Sequence, residues 1–519
     1  MSLLAIDIGS SACKAVAFTT EGQILAQHTY GYTAEVPVPR HAEMDPRHFW
    51  KAVCSCTQAI AKNLGDPVRA LCLSSHGETF VPVNEENETI ASAILNQDSR
   101  ALEEAAWIEQ QLGRKSLFEI TGLLSHPMYP IPKILWLRSH QPGVFASAAK
   151  FVTPVGYILL RLGLDAYVDY SLASRYLAFD VRKRCWSHEI LDAADLDPNQ
   201  LPDAVPTGTI AGKLNAAVAG QLGLPTGTPV ILGGHDQPCG ALGLGIVGPG
   251  RVADSMGTYE CLLAASDEPV LNDIALAASL NSYCHVVPEK YVTIAFFPSG
   301  IMMKWFHDLL YSSESAHADR ANDTRLPHVS PVLRDVGIST ENSEPDHYAF
   351  LEAQAPDAPT GLCVTPNLIG SGNPDFDPNA RGIIYGLNPG TLPTAIYKGI
   401  LEGLACELSQ LTSLLANAVG EFGDMCVTGG GTRSALGLRL RAALTGKCLR
   451  VMQCPEAVCL GGAILAGVAI GEYSNIDEAV RHVVHEAKVV EPDPKIASAY
   501  TQQTKQYHWL RSLKPPAAN

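Results

Sequence analysis

A short polar loop near the start of the chain has the residue types needed to hold a phosphate group. It begins at the end of the apolar run 3–8, and its polar and small residues are Asp7, Gly9, Ser10, Ser11 and Lys14. Glycine lets the backbone turn tightly, so that successive N–H and hydroxyl groups can point at one anion. An aspartate at the end of the preceding strand could hold Mg²⁺. The alternative interpretation of the same residues is a plain β-hairpin with a small-residue turn.

A second loop repeats this chemistry almost half the chain later. It reads Asp254-Ser255-Met-Gly257-Thr258 and again lies between two apolar runs. One such turn is weak evidence, but two in one chain favour opposite walls of a single nucleotide-phosphate site.

A third candidate stands where the buried run 229–232 meets a predicted helix. Gly233 and Gly234 are followed by His235, Asp236 and Gln237. Asp236 could act as a general base that takes a proton from an attacking hydroxyl. Aspartate is also a favoured N-cap of helices. The residues alone leave both interpretations open.

A glycine-rich turn in the last third of the chain could approach a flat ring or a phosphate. Its sequence is Thr428-Gly429-Gly430-Gly431-Thr432-Arg433-Ser434, between a predicted strand and a predicted helix. The start of a helix attracts anions, so nucleotide binding is one interpretation of this turn. A structural connection between strand and helix is the other.

Short apolar runs alternate with longer helical patterns along the whole chain, which predicts an α/β fold. The two small-residue hairpins predict two similar halves that face each other across a cleft. A cluster of Gly and Pro between 243 and 250 places the boundary between them. We therefore predict an N-terminal domain over 1–246, a C-terminal domain over 247–485, and a C-terminal helix and tail over 486–519. The polar stretch Ser312–Asp346 predicts an exposed insertion.

Composition argues against several classes of function. The 519 residues include 53 acidic and 37 basic side chains, a net charge of −16 that disfavours nucleic-acid and membrane-surface partners. The 14 cysteines contain no C-x-x-C pair, which favours free thiols in a cytoplasmic protein. The longest uncharged apolar stretch, 458–470, is too short to span a membrane and predicts a packed core helix.

Taken together, these segments resemble the FGGY family of carbohydrate kinases, in the actin/sugar-kinase/chaperone ATPase superfamily. The opening loop resembles the family's D-x-G-T-S-x-x-K, and Gly234-His-Asp236-Gln resembles its G-x-x-D. Further similar segments are Glu43-Met-Asp45-Pro46 with Trp50, Ala93–Arg100, Lys133–Trp136, Asp375–Leu387, Leu401-Glu402-Gly403 and Gly429–Ser434. The resemblance covers nearly the whole chain.

The resemblance implies two ribonuclease-H-like domains that close on ATP, Mg²⁺ and a sugar. It makes Asp236 the catalytic base, with Asp7 and Asp236 at the metal. The residues it places at the nucleotide are Gly9, Ser10, Ser11, Lys14, Gly257, Thr258, Gly300, Gly429, Gly430, Gly431 and Ser434. Those it places at the sugar are Ser75, His76, Gly77, Glu78, Asp98, Asp236 and Gln237. A homodimer is the assembly that the family suggests.

The segment Ser75–Thr79, called here the acceptor segment, favours a ketopentose. Its His76-Gly77 resembles the M-H-G of xylulokinases, whereas Gly77-Glu78-Thr79 resembles the R-E-T of glycerol kinases with the arginine lost. D-xylulose is therefore the predicted acceptor, with other ketoses, sugar acids and polyols as alternatives. The segment Gly370–Pro374 departs from the family's G-E-R-x-P, and Ala443 replaces a common aspartate. A non-catalytic sugar sensor and a chaperone-like or actin-like ATP switch remain the alternatives of a different class.

Overall fold

The chain is described here from a computed structural model, and the described residues are 2–311, 346–377 and 379–513. The predicted insertion Ser312–Asp346 lies outside them except for Asp346, as do the residues from 514 onward. The strands are Ser2–Ile8 (β1), Ala12–Phe18 (β2), Ile24–Gly31 (β3), Glu43–Met44 (β4), Val68–Ser75 (β5), Val81–Val83 (β6), Ala93–Ile94 (β7), Lys150–Val152 (β8), Tyr167–Asp169 (β9), Phe179–Asp180 (β10), Cys185–Trp186 (β11), Asp203–Val205 (β12), Ile210–Lys213 (β13), Pro229–His235 (β14), Val252–Met256 (β15), Tyr259–Ser266 (β16), Asn281–Cys284 (β17), Tyr291–Pro298 (β18), Cys363–Thr365 (β19), Ile383–Tyr385 (β20), Met425–Gly429 (β21), Leu449–Met452 (β22) and Glu486–Val490 (β23).

The helices pack around two large sheets, and the remaining strands form small two-stranded sheets. They are Arg47–Asn63, Leu102–Leu112, Arg114–Thr121, Pro130–His140, Pro142–Ser147, Pro154–Arg161, Tyr170–Ala173, His188–Ala194, Ala216–Leu222, Asp236–Gly243, Asp273–Ala277, Gly300–Tyr311, His347–Ala353, Pro393–Val419, Ala435–Thr445, Ala457–Ala469, Ile476–Val483, Pro494–Ala499 and Thr501–Ser512. Short 3₁₀ turns lie at Ser174–Tyr176, Pro198–Gln200 and Gly430–Arg433. The predicted α/β architecture is confirmed.

The first sheet has six strands in the order β13-β14-β5-β1-β2-β3. β1, β5 and β14 run parallel at its centre, and their residues are buried almost without interruption. A parallel strand covered on both faces needs an apolar run rather than an alternating pattern, which explains the sequence of these three strands. β1 returns antiparallel as β2 through the loop at Gly9, as the hairpin prediction requires.

The second sheet has seven strands in the order β17-β18-β16-β15-β21-β22-β23. Its central β15 pairs antiparallel with β16 and parallel with β21. The β15–β16 hairpin carries Gly257 at its turn, so both small-residue loops identified in the sequence are hairpins. The long helix Pro393–Val419 packs against this second sheet, where Leu404 and Leu408 lie in its apolar core.

One helix from the second half of the sequence belongs physically to the first sheet. In the helix Ala457–Ala469, Leu460 and Ile464 share an apolar cluster with Leu3 and Ala5 of β1. A Cβ atom at Gly461 would lie 2.0 Å from the carbonyl oxygen of Cys239, so glycine is required for this close helix packing. The apolar stretch 458–470 is thus a packed core helix, as predicted. The predicted boundary at 246/247 assigns this helix to the C-terminal domain by sequence. In the structure, the helix packs against the first sheet, which is formed by the N-terminal half.

The described residues 486–513 are also integrated into the fold. Residues 486–490 form β23, which pairs with β22 at the edge of the second sheet. Tyr500, the N-cap residue of the last helix, donates a hydrogen bond to Glu402 at 2.7 Å, and Tyr507 in that helix donates one to Glu407. The predicted separate C-terminal segment from residue 486 therefore needs correction, since its first strand and its helix complete the second half of the molecule.

Two further expectations concern the cysteines and the apolar helices. All 14 cysteines are free thiols, and most of them are buried. Among the described residues, no helix combines the length and the apolar character that crossing a bilayer requires.

Candidate active site

The three central strands of the first sheet end side by side. The register pairs Ile8 of β1 with Ser75 of β5, and Ser75 in turn with His235 of β14. Because the three strands are parallel, their carboxyl ends open at the same edge of the sheet, where α/β proteins commonly bind ligands. The geometry therefore brings Asp7, the segment Ser75–Thr79 and Asp236 together, although up to 229 residues separate them in the chain.

Asp236 is the first residue of the helix Asp236–Gly243, whose N-cap position is taken by His235 without a side-chain cap. This placement contradicts the N-cap interpretation of Asp236, and its role as a general base stays a prediction. Its side chain is 21% exposed and lies 3.1 Å from Nε2 of His235. Burial, and then the negative charges of Asp7 and Glu78, raise the pKa of Asp236 well above 3.8.

His235 holds this carboxylate in place. Its Nδ1 lies 3.1 Å from the hydroxyl of Tyr283, and burial lowers the pKa of His235 to about 3. A neutral imidazole carries one N–H, so Nδ1 donates to the Tyr283 hydroxyl in one tautomer and accepts from it in the other. The sequence placed His235 at the helix start but gave it no role.

Asp7 faces the same edge of the sheet. Ser74 donates a long hydrogen bond of 3.4 Å to Asp7, and burial raises the pKa of Asp7 to about 7 despite the opposing charge of Lys14. The negative charge of Asp7 is one of the causes that raise the pKa of Asp236, as expected of two neighbouring carboxylates. Two hard oxygen donors beside a phosphate site fit Mg²⁺, which binds through one or two carboxylates, waters and substrate phosphates. Among the described residues, no group of three or more His, Cys, Asp or Glu side chains is arranged to hold a metal ion.

The first hairpin turns beside Asp7. The Gly9 N–H donates to the Ala12 carbonyl at 2.9 Å, and a Cβ at Gly9 would lie 2.9 Å from that same oxygen. Ser10 is partly exposed and Ser11 is exposed, so their hydroxyl groups are accessible to a ligand. Lys14 forms an ion pair of 2.7 Å with Glu456, at the start of the helix Ala457–Ala469.

The second hairpin and the glycine-rich turn are in contact. The Gly300 N–H donates to the Gly257 carbonyl at 3.0 Å, and a Cβ at Gly300 would lie 2.4 Å from that oxygen. A Cβ at Gly431 would lie 2.9 Å from the Cβ of Met256, and one at Gly429, whose φ is +97°, would lie 2.6 Å from the Met256 carbonyl oxygen. Thr258 is exposed beside this contact. The residues expected at the nucleotide thus form one continuous surface on the second sheet.

Ser434 has a defined structural role next to this surface. It is the N-cap of the helix Ala435–Thr445, where its Oγ accepts from the Gly437 N–H at 2.9 Å. The same hydroxyl donates to Glu352 at 2.6 Å. Because both partners occupy this oxygen, the geometry supports Ser434 as a residue that shapes the turn rather than one that binds nucleotide directly.

The acceptor segment is buried and internally bonded. Nδ1 of His76 lies 2.8 Å from the Ile8 carbonyl and its Nε2 lies 2.7 Å from the Thr79 hydroxyl, so both ring nitrogens are engaged. Ser75 donates to the His76 carbonyl at 3.0 Å. His76 and Ser75 therefore fix the shape of the segment, and the expectation that they touch a sugar directly gains no support from the geometry.

Glu78 and Gln237 are better placed to meet an acceptor. Glu78 has a φ of +59° and pairs with Arg175, whose Nε donates to its carboxylate at 2.5 Å. Burial opposes ionisation of Glu78, but the charge of Arg175, its hydrogen bond and the other nearby basic groups together outweigh burial and lower the pKa of Glu78. Gln237 is partly exposed beside Asp236, and Gly77 leaves room between Arg175 and His235.

Asp98 has a different role from the one expected. It is fully buried, accepts from the Ala42 N–H at 2.6 Å and pairs with Arg100 at 2.8 Å. Arg100 also reaches Glu43 and lies over the ring of Trp136. These contacts tie together the segments around 43, 98 and 136, so Asp98 acts as a support for the acceptor side of the site and not as a group that faces it.

The altered segment Gly370–Pro374 is also structural. The Asn373 amide accepts from the Phe296 N–H at 2.9 Å and donates to the carbonyls of Ala278 and Ser279. A Cβ at Gly372 would lie 1.9 Å from the Phe296 carbonyl oxygen. In this chain, Asn373 and Gly372 therefore connect the segment to the second sheet and to the residues around 278.

Comparison with known proteins agrees with this arrangement. The chain matches the N-terminal domain of the FGGY family of carbohydrate kinases over residues 2–243, and the C-terminal domain of that family over residues 252–470. The protein belongs to the FGGY family, and it is an ATP-dependent carbohydrate kinase with the two-domain fold of that family.

Individual relatives differ in the sugar for which they are named. A xylulose kinase of Escherichia coli (strain K12) is 26% identical over 515 residues, which are 98% of each chain. A gluconokinase of Bacillus licheniformis is 27% identical over 479 residues, 92% of this chain and 89% of that one. The crystal structure of a ligand-bound xylulose kinase from Lactobacillus acidophilus superimposes with a TM-score of 0.85 at 22% identity, over 98% of this chain and 97% of that one.

Proposed function

We propose that this kinase transfers the γ-phosphoryl group of ATP to a terminal hydroxyl of a ketopentose, with D-xylulose converted to D-xylulose 5-phosphate. The observation that carries the proposal is the meeting of Asp236 with the acceptor segment at adjacent strand ends. The preference for a ketopentose rests on His76-Gly77, which resembles the xylulokinase pattern, and on relatives named for xylulose. A sugar acid is the second candidate, because relatives of similar identity are gluconokinases.

In this proposal Asp236 takes the proton from the attacking hydroxyl. A general base must lie within hydrogen-bond reach of the proton it removes, and the accessible carboxylate at the mouth of the cleft meets that condition. His235 keeps the carboxylate oriented through its 3.1 Å contact. Glu78, Gly77 and Gln237 form the acceptor wall beside it.

The nucleotide is proposed to lie between the two hairpins. The turns at Gly9 and Gly257 would face its phosphates, with Ser10, Ser11 and Thr258 offering hydroxyl groups. The turn Gly429–Gly431 would lie along the adenosine. When bound near Asp7 and Asp236, Mg²⁺ supplies positive charge to the phosphates. Lys14 is proposed to exchange its partner Glu456 for a phosphate oxygen, because its side chain is 37% exposed.

The test is ADP release with Mg-ATP across D-xylulose, D-ribulose, D-fructose, gluconate, glycerol and erythritol. We expect D-xylulose to give the highest kcat/KM. A higher value for another acceptor would reject D-xylulose and keep the kinase. Binding of a sugar by calorimetry, with no turnover of any member, would favour the non-catalytic sensor. ATP hydrolysis that no sugar stimulates would favour the switch.

A further inference from the structure

The last residue of β14 is held by a side chain from another segment of the chain. β13 and the loop before it pair with β14 only as far as Leu232. Beyond that point, the backbone N–H of His235 donates to Oγ of Ser171 at 2.8 Å. Ser171 lies in the short helix Tyr170–Ala173, directly after β9. The strand end that precedes Asp236 is therefore fixed by Ser171 as well as by its pairing with β5.

Ser171 is itself held by the buried carboxylate of Asp169. The Oγ and the N–H of Ser171 donate to Oδ2 of Asp169 at 2.6 Å and 2.9 Å, and the Leu172 N–H donates to its Oδ1 at 3.2 Å. Thr207, in the loop before β13, also donates to Oδ2. Asp169 is 1% exposed and Ser171 is 0% exposed. Because the Ser171 hydroxyl donates to Asp169, its lone pairs are directed to accept from the His235 N–H.

Gly234 allows these two side chains to lie against the backbone of β14. A Cβ at Gly234 would lie 2.5 Å from Oγ of Ser171 and 2.8 Å from Oδ2 of Asp169. The φ of Gly234 is +89°, a conformation that other residues rarely adopt. A side chain at this position would strain the backbone and displace both groups. The second glycine before His235 is thus explained by its contact with Asp169 and Ser171, called here the Asp169–Ser171 pair.

A displacement of His235 would also displace the carboxylate next to it. Asp236 follows His235 directly, and its Oδ1 lies 3.1 Å from Nε2 of the His235 ring. That ring is buried and also contacts the hydroxyl of Tyr283. A misplacement of about 1 Å at the reacting groups can lower the rate on the order of a hundredfold. The backbone position of His235 therefore matters for the rate, although the Asp169–Ser171 pair is buried.

We propose that the Asp169–Ser171 pair positions the base for phosphoryl transfer. It holds the backbone N–H of His235 and thereby sets the place of the Asp236 carboxylate in the transition state. Asp169 and Ser171 act through His235, so they are positioning residues and not catalytic ones. This inference rests on the proposed function for the role of Asp236 as the base.

The test compares two buried serines with the acceptor of highest kcat/KM. Ser171→Ala removes the acceptor of the His235 N–H, and we expect kcat to fall roughly ten- to hundredfold. The KM values for the acceptor and for ATP should stay within about twofold, because no substrate contact is lost. Ser174→Ala is the matched control: Ser174 is also 0% exposed, and its Oγ donates to the Tyr170 carbonyl at 2.7 Å. The control should lower the melting temperature by a similar amount but leave kcat within about twofold.

A double-variant cycle separates positioning from a general loss of stability. In the Asp236→Asn background, Ser171→Ala should lower kcat by less than about twofold, because the base that it positions is already lost. A further ten- to hundredfold loss in that background would overturn the inference. Equal kcat values for Ser171→Ala and Ser174→Ala would also overturn it. Near-normal turnover of Asp236→Asn alone would instead reject Asp236 as the base, which is a failure of the proposed function.

Thr207→Val is a milder change at the same carboxylate. It removes one donor to Asp169 and keeps the size of the side chain, and Thr207 is only partly buried. We expect kcat to fall roughly two- to fivefold with unchanged KM values. If Ser171→Ala does not fold, Thr207→Val decides, and an unchanged kcat of this variant would overturn the inference.

Discussion

Replacement of Asp7 by asparagine should stabilise the ligand-free protein at neutral pH and weaken the stabilisation by Mg²⁺ with ADP that the proposed metal site predicts. Burial raises the pKa of Asp7 from 3.8 to about 7. Each pKa unit corresponds to about 1.4 kcal/mol, so the buried carboxyl costs the folded protein on the order of 4 kcal/mol at pH 7. Asparagine keeps the shape and can still accept from Ser74, but it has no charge to bury.

The effect should depend on pH in one direction. Below pH 4 the carboxyl is protonated in the folded and in the unfolded chain, and the two proteins should be equally stable. As pH rises from about 4 to about 7, the unfolded chain ionises first, so the wild type should lose stability relative to the variant. Above pH 7 the difference should be constant. The buried His235 contributes equally to the pH dependence of both proteins. Its contribution therefore cancels in the difference between their stabilities.

Thermal melting across this pH range is the measurement, with and without Mg²⁺ and ADP. The exposed Asp192→Asn is the matched control. We expect Mg²⁺ with ADP to raise the melting temperature of the wild type and of the control more than that of Asp7→Asn, because a ligand stabilises only the state it binds. If Asp7→Asn melts below the wild type at pH 7 without ligand, the burial argument is refuted. If Mg²⁺ with ADP raises the melting temperatures of the variant and the wild type equally, the metal assignment is refuted.

Three further predictions concern single residues. Asp236→Asn should bind ATP normally but lower kcat by roughly 10²- to 10⁴-fold in single-turnover assays, and near-normal turnover would exclude Asp236 as the base. Gly431→Ala should raise the KM for ATP several-fold because its Cβ would meet Met256 at 2.9 Å, whereas Gly430→Ala, with open space around it, should not; equal effects would contradict the contact. Gly461→Ala should lower the melting temperature by several degrees, since its Cβ would lie 2.0 Å from the Cys239 carbonyl, and the control Gly220→Ala should leave it unchanged or raise it. An unchanged melting temperature for Gly461→Ala would show that the two helices can separate without cost.

The parts of the site that the sequence predicted are those that local chemistry determines. A turn such as the one at Gly9 needs residues within a few positions of each other, and the hairpin at Gly257 is equally local. The strand before Asp236 is recognisable because a doubly covered parallel strand must be apolar along its length. Each of these features is determined by residues that are close to one another in the sequence.

The parts that the sequence missed depend on contacts between distant segments. Glu78 and Arg175 lie 97 residues apart, and nothing near either residue indicates the ion pair between them. Asp98 matched a family pattern, yet its partner Arg100 and the backbone of Ala42 use its carboxylate for support. Sequence similarity singled out Glu78 and Asp98 but not Arg175, and only the packing shows which groups their charges contact.

The helix Ala457–Ala469 has a consequence for how the chain folds during synthesis. It covers one face of the first sheet, where Gly462 lies against Ala5, although it is made long after that sheet is complete. At about 5–20 residues per second, the uncovered face would remain exposed to the cell for roughly 10–40 s. The N-terminal half should therefore be insoluble when expressed alone and should recover when 457–483 is supplied in trans. Because this helix is synthesised so late, the N-terminal half would then need protection by chaperones during translation.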